Sequence, residues 1–149
     1  TTLITGGLGF IGSNICDSLL QKKYTNKCIL LDNFGGYMNP IKDSFIDFRK
    51  QRFPSLKNII IERCDTSNYK ALSSIINRYK PNYIYHTAAL PLAKVSNLNN
   101  EEAKISSVDS TVNIIDAINL LKNSNQKYHL KLNTIRHPTH IQFLTSRKS

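Results

Sequence analysis

An α/β fold, a parallel sheet covered by helices on both faces, is predicted from three observations. Short runs of apolar and β-branched residues alternate along the chain with stretches of helical periodicity. The first run, Thr2–Thr5, leads into Thr5-Gly6-Gly7-Leu8-Gly9-Phe10-Ile11-Gly12, which contains the spacing Gly-x-Gly-x-x-Gly. The next run, Cys28-Ile29-Leu30-Leu31-Asp32, ends in an acid about 20 residues further on. Strands buried on both faces read as continuous apolar runs. Alternating with helices through right-handed crossovers, they make a doubly wound, Rossmann-type parallel sheet.

The elements follow in order. Strand one is Thr2–Thr5, and helix one runs Phe10–Lys22, with Ile11, Ile15 and Leu19 repeating at helical spacing and Leu20 beside them. Gln21-Lys22-Lys23 puts positive charge at its C-terminal end, where the helix dipole favours it. Strand two is Lys27–Asp32. The polar stretch from Asn33 to Lys57 is broken early by Gly35-Gly36 and Asn39-Pro40, and Phe45, Phe48 and Arg49 suggest a helix within it, ending before Pro54. Strand three is Asn58–Arg63. Ser67 or Asn68 caps the next helix, whose apolar positions are Leu72, Ile75, Ile76 and Tyr79, and Pro81 closes it. Strand four is Tyr83–His86. A long helix is expected from about Asn99 to Lys122, with Val108, Val112, Ile115 and Leu121 near one face and Ile114 and Ile118 beside it. Strand five has two candidates, Tyr128–Leu132 and Ile141–Ser146.

The glycine turn has a chemical reading. Its first glycines let the chain leave a strand with unusual backbone angles, and its middle glycine lets backbone approach a pyrophosphate closely. Gly12 lets the helix pack tightly on the strand, and the unpaired N–H groups of the first helical turn, aided by the dipole, hold phosphate. The Asp32 carboxylate can accept hydrogen bonds from both ribose hydroxyls and would repel a 2′-phosphate, which points to NAD rather than NADP.

Composition bounds the alternatives. At 149 residues the chain fits one domain, 1–125, followed by a basic tail, 126–149. No run of 18 apolar residues is present, so no membrane span is expected. Cys16, Cys28 and Cys64 follow no framework spacing, and they read as small buried hydrophobes in a reduced, cytoplasmic setting. The net charge of +10 raises nucleic-acid binding, but from Gln126 to Ser149 there are five basic residues and no acid. The rest of the excess is dispersed without an aromatic-interleaved stripe, so no nucleic-acid partner is expected. His137 and His140 have ligand-like spacing but no nearby cysteine, and no metal site is assigned.

Beyond the turn, His86-Thr87-Ala88-Ala89-Leu90-Pro91-Leu92-Ala93-Lys94-Val95-Ser96 resembles the His-x-Ala-Ala segment after strand four in extended short-chain dehydrogenase/reductases. More narrowly it resembles the nucleotide-sugar epimerases and dehydratases of the UDP-glucose 4-epimerase type. The opening Thr-Gly-Gly-x-Gly-Phe-Ile-Gly-Ser, the Leu-Asp-Asn at Leu31–Asn33 and Cys64-Asp65-Thr66 also resemble that group, in the same order. The resemblance covers Thr2 to about Leu121. It implies an NAD site formed by Gly6, Gly9, Phe10, Ile11, Gly12, Asp32, Asn33, Asp65, Thr66, Ala88 and Ala89, with Asp65 and Thr66 at the adenine. It implies that Lys94 and Ser96 lie near a nucleotide-sugar substrate, and by analogy it admits a homodimer.

Two departures accompany it. The family's Asn-x-x-Gly-Thr reads Ser107, Val108, Asp109, Ser110, Thr111 here. The family's Tyr-x-x-x-Lys pair, in which tyrosinate acts as base and lysine lowers its pKa, is absent: none of the seven tyrosines has lysine four residues later. No catalytic residue is therefore assigned. The expectation is the N-terminal half of such an enzyme, truncated after about strand five with a tail that is either strand five or a non-native end. The alternative is a non-catalytic NAD(H)-binding sensor or interaction module.

Overall fold

In the computed structural model, residues 1–35, 51, 53, 55–89, 100–124 and 131–134 are described. Strands β1 (Thr2–Thr5), β2 (Cys28–Asp32), β3 (Ile59–Arg63), β4 (Tyr83–His86) and β5 (Lys131–Thr134) form one sheet in the order β3-β2-β1-β4-β5. All four pairings are parallel, in a register that sets Thr5 beside Leu31 on one side and His86 on the other. The predicted doubly wound sheet is therefore the observed one. Strands one and four have the expected bounds, and strands two and three begin one residue later than expected.

Helix α1 (Phe10–Gln21) packs on one face, and helices α2 (Tyr69–Tyr79) and α4 (Ser110–Ser124) pack on the other. β1 and β2 are buried throughout, so each supplies both cores by alternation. Leu3, Ile29, Leu31 and Ile84 meet Leu72, Ile75 and Ile76 of α2 and Ile114, Ala117, Ile118 and Leu121 of α4. Ile4, Cys28 and Leu30 meet Leu8, Cys16 and Phe53. Asn68 is the cap of α2, its side chain accepting from Ala71 N–H at 3.1 Å.

The long helix differs from expectation. It comprises α3 (Asn100–Lys104), a π-helical turn (Ile105–Asp109) and α4. The buried stripe is Ser110, Ile114, Ala117, Ile118 and Leu121, whereas Val108, Val112 and Ile115 face outward, Val112 being 47% exposed. Two apolar stripes were merged in the sequence reading. Ser110 and Thr111 hydroxyls bond back to the Ser106 and Ser107 carbonyls, each at 2.7 Å, where the wider turn lies. Of the two strand-five candidates, the first is in the sheet, shifted to Lys131–Thr134. The second candidate, Ile141–Ser146, lies outside the described residues, as do the helix expected around Phe45, Phe48 and Arg49, and His137 and His140. Among the described residues, no helix is long and apolar enough to cross a membrane.

Candidate functional site

The carboxyl ends of β1 to β4 lie along one edge of the sheet, and β1 is where the strand order reverses, with β2 on one side and β4 on the other. Open parallel sheets bind ligands at such a switch point. The structure brings four of the expected segments to this edge: the glycine turn after β1, Asp32-Asn33 at the end of β2, Asp65-Thr66 after β3, and Ala88-Ala89 after β4. Lys94 and Ser96 lie outside the described residues.

Each glycine answers a local constraint. Gly6 adopts φ +64°, and a Cβ there would stand 2.9 Å from the Ala88 nitrogen. The turn thus rests directly on the exit of β4. Gly12 is buried against the backbone of Gly6 and Gly7, with no room for a Cβ. Gly9 caps α1 without a side-chain acceptor. The amides of Phe10, Ile11 and Gly12, as the first of a helix, have no intrahelical carbonyl to reach. This leaves N–H donors at the helix end without a side-chain cap, an arrangement suited to an anion. Phe10 (76% exposed) and Ile11 (48%) stand outside the core at the mouth of the turn.

Asp32 is buried and joins two loops. Its Oδ2 accepts from Leu8 N–H and its Oδ1 from Phe34 N–H, both at 3.0 Å. Each oxygen keeps a second acceptor position for a ligand hydroxyl. The second bond also steadies Phe34, which adopts φ +58° and lies under the Arg63 guanidinium, 5.7 Å from the ring centre.

Asp65 is more occupied than the sequence suggested. Its Oδ1 accepts from Ser67 N–H at 2.9 Å and Ser67 Oγ at 2.7 Å, and its Oδ2 accepts from Asn33 Nδ2 at 3.1 Å. Partial burial pushes the carboxyl up, but the bonds from Ser67 and Asn33 outweigh it and hold it below the usual range. Asn33 therefore ties the end of β2 to the loop after β3, and its own Oδ1 accepts from Gly35 N–H at 2.8 Å. Asn113 of α4 was missed in the sequence: its Nδ2 donates to the Thr66 and Ser67 carbonyls at 3.0 and 2.8 Å. Nothing local marks it, since an asparagine on a helix has the same letter whether it faces water or a loop.

A nicotinamide dinucleotide can be tested against this donor set. The uncapped helix end suits the pyrophosphate, the remaining acceptor positions of Asp32 suit ribose hydroxyls, and the side chains of Ala88 and Ala89 at the β4 exit are small. The residues present fit the group.

Residues 3–133 match the family model for GDP-mannose 4,6-dehydratase. The chain belongs to the GDP-mannose 4,6-dehydratase family. Its fold agrees with solved structures of nucleotide-sugar enzymes. It superposes on the UDP-glucose-4-epimerase of Stenotrophomonas maltophila, solved with bound NAD and formylated UDP-arabinopyranose, with a TM-score of 0.68 at 18% identity over 93% of this chain and 37% of that one. For the dTDP-glucose 4,6-dehydratase of Bacillus anthracis, solved with NAD, the TM-score is 0.60 at 24% identity over 89% of this chain and 36% of that one. The UDP-glucose 4-epimerase of Thermotoga maritima, solved with UDP-glucose, gives 0.62 at 20% identity over 89% and 36%. The chain thus spans little more than a third of these structures.

Within the dehydratase family chain, the two serine departures have different fates. Ser107 is exposed, and its carbonyl serves the Thr111 hydroxyl. Ser110 is fully buried, 3.5 Å from His86 Nε2.

Proposed function

We propose that this chain is the NAD-binding part of a nucleotide-sugar epimerase or dehydratase, in which a sugar carbon is oxidised by hydride transfer. Bound NAD would supply the hydride acceptor. The single observation that carries the reading is the buried Asp32 carboxylate, fastened to the glycine turn through Leu8 N–H at the point where the strand order reverses. Gly6, Gly9 and Gly12 shape the turn, and the amides of Phe10, Ile11 and Gly12 would hold the pyrophosphate. Asp32 would hold the ribose, Thr66 and the remaining acceptor position of Asp65 would face the adenine, and Ala88 and Ala89 would let the dinucleotide pass. Lys94 and Ser96 would serve the nucleotide sugar. Residues 1–125 form the binding domain on this reading, with the segment 126–149 contributing β5. The three cysteines, unpaired and buried, suit a cytoplasmic protein.

Because no Tyr-x-x-x-Lys occurs in this sequence, the chain alone binds cofactor without turnover. The second reading is an NAD(H)-binding sensor without chemistry, which the absence favours only where no further segment carrying Tyr-x-x-x-Lys follows this one. Calorimetric titration tests the first step. NAD is expected to bind at least about tenfold more tightly than NADP, because Asp32 repels a 2′-phosphate; equal binding of both, or of neither, overturns the assignment. Conversion of a sugar nucleotide by the purified chain would overturn the absence of catalysis.

The outward stripe Ile105, Val108, Val112 and Ile115 is proposed as a homodimer contact, by analogy with family members that dimerise through helices of this domain.

A further inference from the structure

Four side chains meet behind the glycine turn. Thr5 ends β1, His86 ends β4, and Ser110 and Thr111 open α4. Thr5 Oγ1 lies 2.7 Å from His86 Nδ1, and His86 Nε2 lies 3.2 Å from Thr111 Oγ1 and 3.5 Å from Ser110 Oγ.

The protons in this group can be assigned by counting donors. A hydroxyl has one hydrogen and two acceptor positions. The hydrogens of Ser110 and Thr111 are directed to the Ser106 and Ser107 carbonyls, so both oxygens present lone pairs to the ring, and Nε2 carries a proton. At the other side, Thr5 Oγ1 accepts from the Thr87 and Ala88 amides, each at 3.2 Å. With both acceptor positions taken, its hydrogen goes to Nδ1. The ring is therefore neutral, protonated on Nε2 and accepting on Nδ1, a tautomer fixed by the groups around it.

This tautomer has a structural consequence. Accepting on Nδ1 locks the Thr5 hydroxyl so that its lone pairs face the two amides after β4. Those amides belong to the backbone against which Gly6 rests, where a Cβ would come within 2.9 Å of the Ala88 nitrogen. Two further bonds to the Thr5 carbonyl, from Thr87 Oγ1 at 2.6 Å and from Thr87 N–H at 3.2 Å, hold the same corner. Through Thr111 and Ser107 the chain of bonds continues into the π-helical turn.

We propose that His86, as the Nε2-protonated tautomer, is a positioning residue that sets the contact between the glycine turn and the exit of β4, over which the dinucleotide would lie. The function of that contact rests on the cofactor reading above; the positioning does not. Ser110, standing where the family pattern has glycine, adds a second acceptor for the ring and makes α4 part of the device.

Three variants separate positioning from mere packing. His86→Asn retains an acceptor near the Nδ1 position, His86→Gln retains a donor near Nε2, and His86→Leu retains neither. In the full chain, nitrogen-15 spectra are expected to show His86 Nδ1 as the unprotonated ring nitrogen. Amide hydrogen exchange at Ala88 is expected to be about tenfold faster in His86→Leu and His86→Gln, and near wild type in His86→Asn, the factor expected for one lost hydrogen bond, whereas Thr87 N–H keeps its second bond, to the Thr5 carbonyl at 3.2 Å, and changes less. NAD affinity should fall in the same order. A protonated Nδ1, or equal exchange at Ala88 in all variants, overturns the proposal. If His86→Leu does not fold, Thr5→Val and Thr5→Ser make the same comparison from the hydroxyl side, with serine retaining protection and valine losing it. Wild-type chain that binds no NAD would defeat the cofactor reading alone, because the tautomer and the exchange rates are read without ligand.

Discussion

Replacing Gly12 by alanine should destabilise the chain even though alanine is the better helix former. An added Cβ would stand 2.8 Å from Gly7 Cα and 3.0 Å from the Gly6 carbonyl carbon, and nearer still to the Gly6 oxygen. The first distance alone falls about 0.6 Å short of ordinary contact. All three neighbours are backbone, so no rotamer change relieves the overlap, and α1 must lift away from the turn. Overpacking of this kind costs about 1–3 kcal/mol, and the rigid neighbours place it at the upper end. The helix preference of alanine over glycine returns at most about 1 kcal/mol. The net loss is therefore about 2 kcal/mol, or roughly 4–8 °C in Tm for a chain of this size. Gly9→Ala is the control. Gly9 has φ −69°, and its added Cβ would meet only the Gly6 oxygen, at 3.1 Å. A loss below about 1 kcal/mol is expected there, as for other changes at an N-cap. Urea and thermal unfolding followed by circular dichroism measure both. A Gly12→Ala chain as stable as wild type, or less affected than Gly9→Ala, would refute the argument that backbone crowding selects the third glycine. NAD titration should reverse the ranking in a useful way, with Gly9→Ala well folded yet weakened in binding.

Four other outcomes are expected. Ile114→Ala, which empties a fully buried position on α4, should cost about 2–5 kcal/mol, whereas Val112→Ala should cost under about 1 kcal/mol; chemical denaturation of the two reads the phase of the helix directly. Asp65 has a folded-state pKa below its unfolded value, so its contribution is complete above about pH 4 and is lost as pH falls through the folded value. Urea midpoints between pH 6 and roughly 3 should therefore fall less steeply in Asp65→Asn than in wild type. Cys16 and Cys64 should alkylate slowly at neutral pH and rapidly in denaturant: burial, with the Asp65 and Glu62 charges, pushes Cys64 up to about 11, and donation to Cys28 together with burial drives Cys16 upward, while the bond from Cys16 holds Cys28 below its usual range and only burial shields it. Sedimentation should show a dimer that Val112→Asp converts to a folded monomer.

Much of the binding edge was legible because its demands are local. A left-handed turn, a helix pressed on a strand and an acid at a strand end each require a residue type at a fixed spacing, so Gly6, Gly12 and Asp32 could be placed before any contact was known. The sheet was legible for a similar reason, since strands buried on both faces read as apolar runs, with polar residues only at their ends. Some local readings were less decisive. Lys23 and Lys80 take left-handed angles at helix ends where glycine would be the usual signal. The inward face of α4 was misread because Val108, Val112 and Ile115 keep helical spacing among themselves, and the π-helical turn that contains Val108 leaves no mark in the apolar pattern.

The amino-acid sequence by itself determined the parallel sheet, the glycine turn and the acid that faces it, because backbone geometry and burial constrain single positions. Tertiary structure alone decided how those parts are held. Thr5 and His86 are 81 residues apart, and Asn113 reaches a carbonyl 47 residues away. A hydrogen bond at such separation depends on strand order and helix phase, and neither is written in the residues that share it. Asp65 shows the same division: its bonds from Ser67 are local to the loop after β3, but its engagement by Asn33 arises only when β2 and β3 lie side by side.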